Sequence, residues 1–357
     1  MQKTFYETNK GDYSGWRLFQ IIFIVSLIPD IVKKDLRRDL AELLHVDTGG
    51  GKSEAYFGLV IFSAFFDRLT GKEFGTTAIT KFPLRMVAIQ QFQRIIKLFA
   101  WAEEIRIKNE IPGNPFSIGY FVGNSEEFPR HNYKIINRIN TASNSLPGKF
   151  IEDCPICFQK NSVKLGVDEV NHSIIHMCNS CQRIFRFYYC DDEIYRLVPT
   201  FIISTVDKLA GIASNRRFRN ILGGSLNVCP NGHGFIPRSD TCEAAKTNSR
   251  DKGCAQNGMP LEIDFCQGPT MIIQDEMHLV KEGFGTIDSH FETFMEHLQN
   301  TLKGTRFKNI VMTATVSGAK NQIKELYNKK VRVFPGKSPS EHKGFKDFYF
   351  KNFENQK

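Results

Sequence analysis

The sequence predicts an α/β protein built on a parallel sheet and interrupted by one or two small cysteine-rich insertions. Three observations predict it. Strand-like and helix-like apolar stretches alternate between about residues 41 and 145, the pattern of a sheet whose strands are joined by crossover helices. A glycine-rich turn, Thr48 to Ser53, separates the first strand of that series from its first helix. The alternation then breaks at two stretches that hold clustered cysteines, and resumes at 270–274 and 308–312.

The bulk composition agrees with a folded protein. The chain has 357 residues, 41% hydrophobic and 24% charged, and no stretch is biased enough to stay disordered. A formal charge of +9 suits a polyanionic partner, although many basic surfaces bind nothing. Nine cysteines would suggest a disulfide framework in a small secreted protein. Here four of them fall in two CxxC pairs, the spacing of metal sites in a reducing compartment. The expectation is a soluble, cytoplasmic protein with no membrane partner.

Taken in order, residues 1–40 read as a helical lead-in. Its apolar run LFQIIFIVSLIPDIV is shorter than the roughly 20 residues that span a bilayer, and Gln20, Pro29 and Asp30 interrupt it. A buried helix ending near Pro29 is the better reading. Residues 41–149 form the first part of the α/β domain, with strands at 41–46, 75–80 and 116–122 and helices at 52–68 and 86–101. Residues 150–190 are the first insertion. Residues 191–228 return to the domain with a strand at 200–204. Residues 229–266 are the second insertion, and 267–357 complete the domain.

The turn from Asp47 reads DTGGGKSE and opens a helix. Glycines allow a tight backbone turn that brings N–H groups close to phosphate oxygens, and the helix N-terminus adds its positive dipole end. Thr48, Gly49, Gly50, Gly51, Lys52, Ser53 and Glu54 are therefore the candidate nucleotide-binding residues. Lys52 would reach the terminal phosphates, and Ser53 would place its hydroxyl on Mg²⁺. The alternative is a glycine turn that merely caps a helix. The strict GxxxxGK[ST] pattern is missed, because Val46 stands at the first glycine; the looser TGxGK[ST] form fits.

Residues 270–278 read TMIIQDEMH, an apolar strand ending in two carboxylates. Such a strand is expected directly beside the strand that precedes the phosphate loop. Asp275 would hold Mg²⁺, Glu276 would orient and deprotonate a water, and His278 would connect the site to the rest of the domain. An acidic turn with no such role is the alternative.

Cys154, Cys157, Cys178 and Cys181 match the C-x₂-C-x₁₅₋₂₀-C-x₂-C spacing of a Cys₄ zinc ribbon. Four thiolates leave no open position for water, so the expected role is structural. Cys229, His233, Cys242 and Cys254 are either a second zinc site or scattered thiols, because their spacing is irregular. Cys190 has no assignment, Cys266 reads as core, and His172 and His176 read as solvated or core residues. The run Arg216, Arg217 and Arg219 reads as a solvated face, with phosphate contact the alternative.

Five of these segments together resemble the motifs of superfamily 2 helicases, over nearly the whole chain. TGGGKSE resembles motif I. TKFPLR at 80–85, followed by IQQF at 89–92, is similar to motif Ia, and STVDKL at 204–209 is similar to motif Ib. QDEMH resembles motif II, and MTAT at 312–315 resembles motif III. Within that superfamily the pattern is most similar to the large helicase of DISARM anti-phage systems. The resemblance implies a RecA-like P-loop NTPase domain using ATP and Mg²⁺, with zinc-ribbon-like insertions. It implies nucleic-acid contacts from Arg85, Gln91, Thr205 and Lys208, DNA before RNA, and coupling of hydrolysis to movement through Thr313 and Thr315. Such motors work in a cleft between two RecA-like domains, and the 42 residues after Thr315 are too few for the second. That domain is expected in cis beyond this chain or in a split partner, with further defence-system subunits as partners. The competing reading is a zinc-ribbon nucleic-acid-binding module on an ATPase scaffold that does not turn over.

Overall fold

The apolar stretches that alternate along the chain pair into one parallel sheet. A computed structural model describes residues 1–8, 15–33, 36–46, 50–141, 148–211, 215–223, 226–237, 240–261, 268–280, 282–313 and 318–335. The chain opens with α1 (Gln2–Thr8) and α2 (Leu18–Val32), followed by β1 (Leu40–His45), α3 (Lys52–Leu69), β2 (Ala78–Phe82), α4 (Arg85–Lys108), β3 (Ile118–Phe121) and α5 (Tyr133–Asn140). A small antiparallel sheet comes next, from β4 (Val163–Asp168), β5 (Ser173–Cys178) and β6 (Ile184–Phe185). Then follow β7 (Phe187–Tyr188), α6 (Asp191–Leu197), β8 (Phe201–Thr205), α7 (Val206–Ala210) and α8 (Arg219–Leu222). A second small antiparallel sheet is made by β9 (Asn227–Val228), β10 (Phe235–Ile236) and β11 (Met259–Pro260). The described chain ends with β12 (Met271–Gln274), α9 (Glu282–Lys303), β13 (Lys308–Thr313), α10 (Ala319–Tyr327) and β14 (Lys330–Phe334).

The main sheet has eight strands in the order β14-β1-β13-β12-β2-β8-β3-β7, and every pairing is parallel. Helices on both faces explain why β8 and β13 are buried at every position and read as unbroken apolar runs with small polar ends. Because all strands run the same way, their C-terminal ends share one edge, where ligands of open α/β sheets bind. One expectation is corrected here. The acidic strand β12 is not beside β1; β13 lies between them and hydrogen-bonds to both. The phosphate loop and the acidic turn therefore meet above the end of β13 rather than across a shared ladder.

Other boundaries differ for identifiable reasons. α2 runs on to Val32 with Pro29 in its last turn. The carbonyl that proline leaves without a helical partner belongs to Val25, which is exposed to solvent. The helix is also half buried, not buried: Phe19, Phe23, Ile24, Leu27 and Ile31 face the core, while Leu18, Ile21, Val25 and Val32 are exposed. α4 extends seven residues past Trp101 because a charged turn continues it, with Arg106 paired to Glu103 at 2.8 Å and Glu103 accepting the N–H of Phe116. β2 starts later than expected. Thr76 and Thr77 instead bond the segment before β8, through Pro199 O and Thr200 O. No helix among the described residues is long and apolar enough to cross a membrane.

Buried ion clusters fasten the layers. Lys308 on β13 donates to Asp30 of α2 and Glu42 of β1, each at 2.8 Å, and Arg332 of β14 bonds Glu42 at 2.7 Å. Lys81 on β2 is fully buried and reaches Asp288 at 2.8 Å and Glu292 at 2.5 Å, both on α9. Burial alone would lower the pKa of Lys81; the two carboxylates outweigh it and the pKa is raised. Lys81→Met would leave two acids buried without a counter-charge. The expected loss is about 3–5 kcal/mol in denaturant unfolding, and a loss under about 1 kcal/mol would show that the cluster holds nothing.

Glu193 on α6 is fully buried, and its Oε1 accepts from Asn132 Nδ2 at 2.9 Å and from the N–H of Ile174 at 2.7 Å. Burial first, and the charge of Asp192 second, push its pKa up to about 8. Between 4.5 and about 8 the unfolded chain carries an ionised glutamate and the folded chain a neutral one. Folding takes up a proton in that window, so this residue's contribution to stability falls as pH rises through it. Glu193→Gln keeps the accepting oxygen and removes the titration. At pH 8 the variant is expected to be more stable than the parent by at least about 1.4 kcal/mol, the value of one pKa unit, with the gap closing near pH 4.5. Parallel stability curves for the two proteins would contradict the assignment.

Candidate nucleotide and metal sites

β1 delivers the chain to the shared edge at His45, and α3 begins at Lys52. Thr48 and Gly49 lie outside the described residues. Gly51 has φ +88, a backbone conformation that residues with a Cβ rarely adopt. Gln20 Nε2 donates to Gly51 O at 2.9 Å and Arg17 Nη1 to Gly50 O at 2.6 Å. Lys52 follows, with its side chain 6% exposed. Its ammonium has no hydrogen-bond partner among the described residues; the nearest carboxylate oxygen, Glu276 Oε1, is 4.0 Å away. A buried ammonium left in that state is costly unless an anion completes it, which is the test a phosphate site should pass.

The acidic turn follows β12. Asp275 is buried, its N–H donates to Lys81 O at 3.0 Å, and its Oδ1 accepts from the N–H of Glu276 at 2.9 Å. Burial, then the neighbouring Glu276 charge, raise its pKa to about 6. Glu276 has φ 47, a left-handed conformation unusual for a residue with a Cβ. The turn brings its Oε2 to 3.4 Å from His278 Nδ1, which also lies 3.4 Å from Thr313 Oγ1 at the end of β13. Thr315 lies outside the described residues.

The glycine turn and the two acids open on a cavity of about 570 Å³. Lys52, Ser53, Glu54, Asp275 and Glu276 form one wall. The opposite wall was not legible in the sequence: Phe5, Tyr6, Trp16, Arg17 and Gln20 come from the lead-in. Gln91 and Arg94 of α4 also line the cavity, and Arg94 pairs with Glu54 and donates to Gln91 Oε1 at 2.9 Å. The structure thus separates Gln91 from Arg85, with which the sequence grouped it.

The first cysteine cluster is built from two matching turns. Phe158 N bonds Cys154 O at 3.0 Å and Gln182 N bonds Cys178 O at 2.9 Å, with Phe158 and Gln182 both left-handed. The turns face each other, with Cys154 Sγ to Cys181 Sγ and Cys157 Sγ to Cys178 Sγ both 3.7 Å. Thiolates around a tetrahedral zinc at about 2.3 Å lie about 3.8 Å apart, so the donor set fits the ion. Cys229, His233, Cys242 and Cys254 also converge, all within 4.8 Å of one another. Cys229 Sγ is 3.8 Å from Cys254 Sγ, and His233 Nδ1 is 3.6 Å from Cys229 Sγ and 3.5 Å from Cys242 Sγ. A sulfur–nitrogen edge around zinc is about 3.6 Å, so this set fits as well. Of the remaining candidates, His176 is a buried core residue bonded to Gly148 O at 2.9 Å, with burial lowering its pKa to about 4. Cys190 is buried at the start of α6, and Cys266 lies outside the described residues.

The residues grouped as nucleic-acid contacts lie further along the same edge. The Arg85 side chain is 40% exposed, stacks on Phe128 at 4.4 Å and bonds Ser125 at 3.2 Å. Thr205 is buried at the start of α7. Lys208 is 13% exposed and held by Asp191 at 2.7 Å and Asn124 at 3.0 Å. Arg216 pairs with Asp240 at 2.7 Å and Arg217 with Glu243, so both tie to the second cysteine-bearing unit.

No family model matches the chain. Among solved structures it is similar to the DEAD-box helicase Mss116 bound to ssRNA and UDP-BeF, with TM-score 0.49, 12% identity and coverage of 93% of this chain and 42% of that one. It is likewise similar to the DUF1998 helicase MrfA, with TM-score 0.49, 10% identity and coverage of 93% and 32%. The chain spans 30% of the length of the curated relative it matches. That relative is the DISARM protein DrmA of Bacillus paralicheniformis, to which this chain is 28% identical over 349 residues, 90% of its own length.

Proposed function

We propose that this chain is the first motor half of an ATP-dependent helicase or translocase that acts on nucleic acid, DNA before RNA, in anti-phage defence. The observation that carries the reading is the buried Lys52 ammonium, without a hydrogen bond among the described residues and facing Glu276 across 4.0 Å. The similarity to the DISARM protein DrmA supports the defence setting, and the cytoplasm is the place of action in this proposal.

When bound, Mg²⁺–ATP would supply the phosphoanhydride bond to be broken and a cation to offset charge on the phosphates. Gly50 and Gly51, with Thr48 and Gly49 as the sequence groups them, would cradle the phosphates, and Lys52 would offset their charge. Ser53 and Asp275 are the residues that hold the cation. Glu276 orients a water and takes its proton. Glu54, tied to Arg94, fixes the start of α3 against α4. The aromatic wall of Phe5, Tyr6 and Trp16 gives the base a face to stack on. His278 and Thr313 transmit movement of the acidic turn to β13, with Thr315 beyond. On the nucleic-acid side Arg85 offers the exposed cation, Thr205 and Lys208 shape the loop beside it, and Gln91 stands between the two sites. A second RecA-like domain, in cis or from a split partner, completes the cleft, and other defence subunits are further partners. Both cysteine clusters hold structural zinc.

Two measurements on the full-length protein test this. Lys52→Ala and Glu276→Gln are each expected to reduce nucleic-acid-stimulated ATP hydrolysis at least about 100-fold; turnover that survives either change overturns the motor reading. Metal analysis should find two zinc equivalents, with Cys178→Ser and Cys242→Ser each lowering the count. A count that neither change alters would remove zinc from the assignment.

A further inference from the structure

The seven residues of α6 touch both cysteine-bearing units and the segment after β8. The tie to the second unit is the closest. Arg196 is buried, and its Nη1 donates to the main-chain oxygen of His233, a member of the second cluster. At Gly234 the backbone of that unit lies flush on α6: a Cβ there would stand 2.3 Å from Arg196 O. The same guanidinium donates to the first unit, from Nη1 to Asn171 O at 3.0 Å and from Nη2 to His172 O at 3.1 Å. Those carbonyls belong to the turn between β4 and β5, and β5 ends at Cys178, a member of the first cluster. The rings of His172 and His233 stack edge to face at 5.0 Å across the join. Glu193, one turn earlier on α6, grips the first unit again through the N–H of Ile174. At the start of the same helix Asp191 holds Lys208 at 2.7 Å.

We infer that Arg196 makes the two metal centres one cooperative unit, and that the loading of either centre is felt at the Thr205–Lys208 segment through α6. The inference rests on the reading that both clusters hold zinc. A guanidinium is suited to the task because it presents several donors in one rigid plane, and here three carbonyls from two units converge on it. With the second centre unloaded, the segment around His233 loses the constraint at its side chain. The main-chain carbonyl then no longer meets Arg196 in a fixed position, and the buried guanidinium loses part of its coordination. The cost is shared with Asn171 and His172, which are part of the first centre's frame. Zinc binding to either cluster thus stabilises the other, as linkage requires when two sites share one ordered element. Arg196 is a positioning residue: it touches main-chain oxygens and neither zinc.

The test uses the full-length protein with zinc loaded. Zinc release into a chromogenic chelator is followed for the parent, Cys242→Ser, Arg196→Met and Arg196→Lys, and amide hydrogen exchange is read at Ile174 and across 205–208. In Cys242→Ser the remaining zinc of the first centre is expected to leave at least ten-fold faster than in the parent. The Ile174 amide should lose protection and exchange at 205–208 should rise. Arg196→Met is expected to do the same with all eight ligands in place, and Arg196→Lys to restore only part of the retention. Should Arg196→Met fail to fold, Cys242→Ser decides alone. First-centre zinc that leaves Cys242→Ser at the parental rate, with Ile174 equally protected, overturns the inference and leaves the zinc reading intact. A parent protein that carries no zinc overturns both.

Discussion

The ammonium of Lys52 imposes the main constraint on this fold. A cation in a buried position needs a counter-charge, and the only carboxylate oxygen recorded within ion-pair range among the described residues belongs to Glu276, more than two hundred residues later in the chain. Bringing them together requires the ends of β1 and β12 to open on the same edge with the end of β13 between them. The parallel sheet, the crossover helices and the left-handed Glu276 all serve that convergence. The distance left between the two charges is itself informative. It is close enough for attraction and too long for a hydrogen bond, so the ammonium's donors are unused among the described residues.

Three buried lysines show how the same side chain is used for different ends. Lys81 and Lys308 are satisfied by carboxylates at hydrogen-bond distance and knit helices to the sheet. Lys52 is nearly as shielded from water and has no hydrogen-bond partner among the described residues. Burial alone therefore does not separate a cation with donors to spare from one already engaged; the state of its partners does. The same criterion bears on Lys208, which the sequence groups with nucleic-acid contacts but which is already held by Asp191 and Asn124.

Much of this was legible in the sequence because it depends on local chemistry. Gly51, Lys52 and Ser53 announce a tight turn and a helix start, and the two CxxC turns announce their own geometry. The strand at 308–313 and the apolar run before Asp275 were legible from their composition, since both faces of a central strand are buried. The neighbour of each strand was not legible, because register and order are settled by packing between segments far apart. That is why β13 was not expected between β1 and β12. The irregular spacing of Cys229, His233, Cys242 and Cys254 left a second site and scattered thiols as alternatives, and folding of the second unit brings the four donors together. The role of α6 was hidden for a similar reason: Glu193 and Arg196 look like surface residues of a short charged helix until units on two sides close over them.

The bonds from Arg17 and Gln20 to the glycine turn have a consequence for how the loop meets a ligand. In a planar trans peptide the N–H of one residue points opposite to the carbonyl of the residue before it. Holding the oxygens of Gly50 and Gly51 back toward α2 therefore turns the amides of Gly51 and Lys52 away from it. The lead-in helix acts as a brace that sets the direction of the loop's donors before any anion arrives. The entropy of ordering these peptides is then lost during folding, and under the proposed function a phosphate would meet donors that are already aimed.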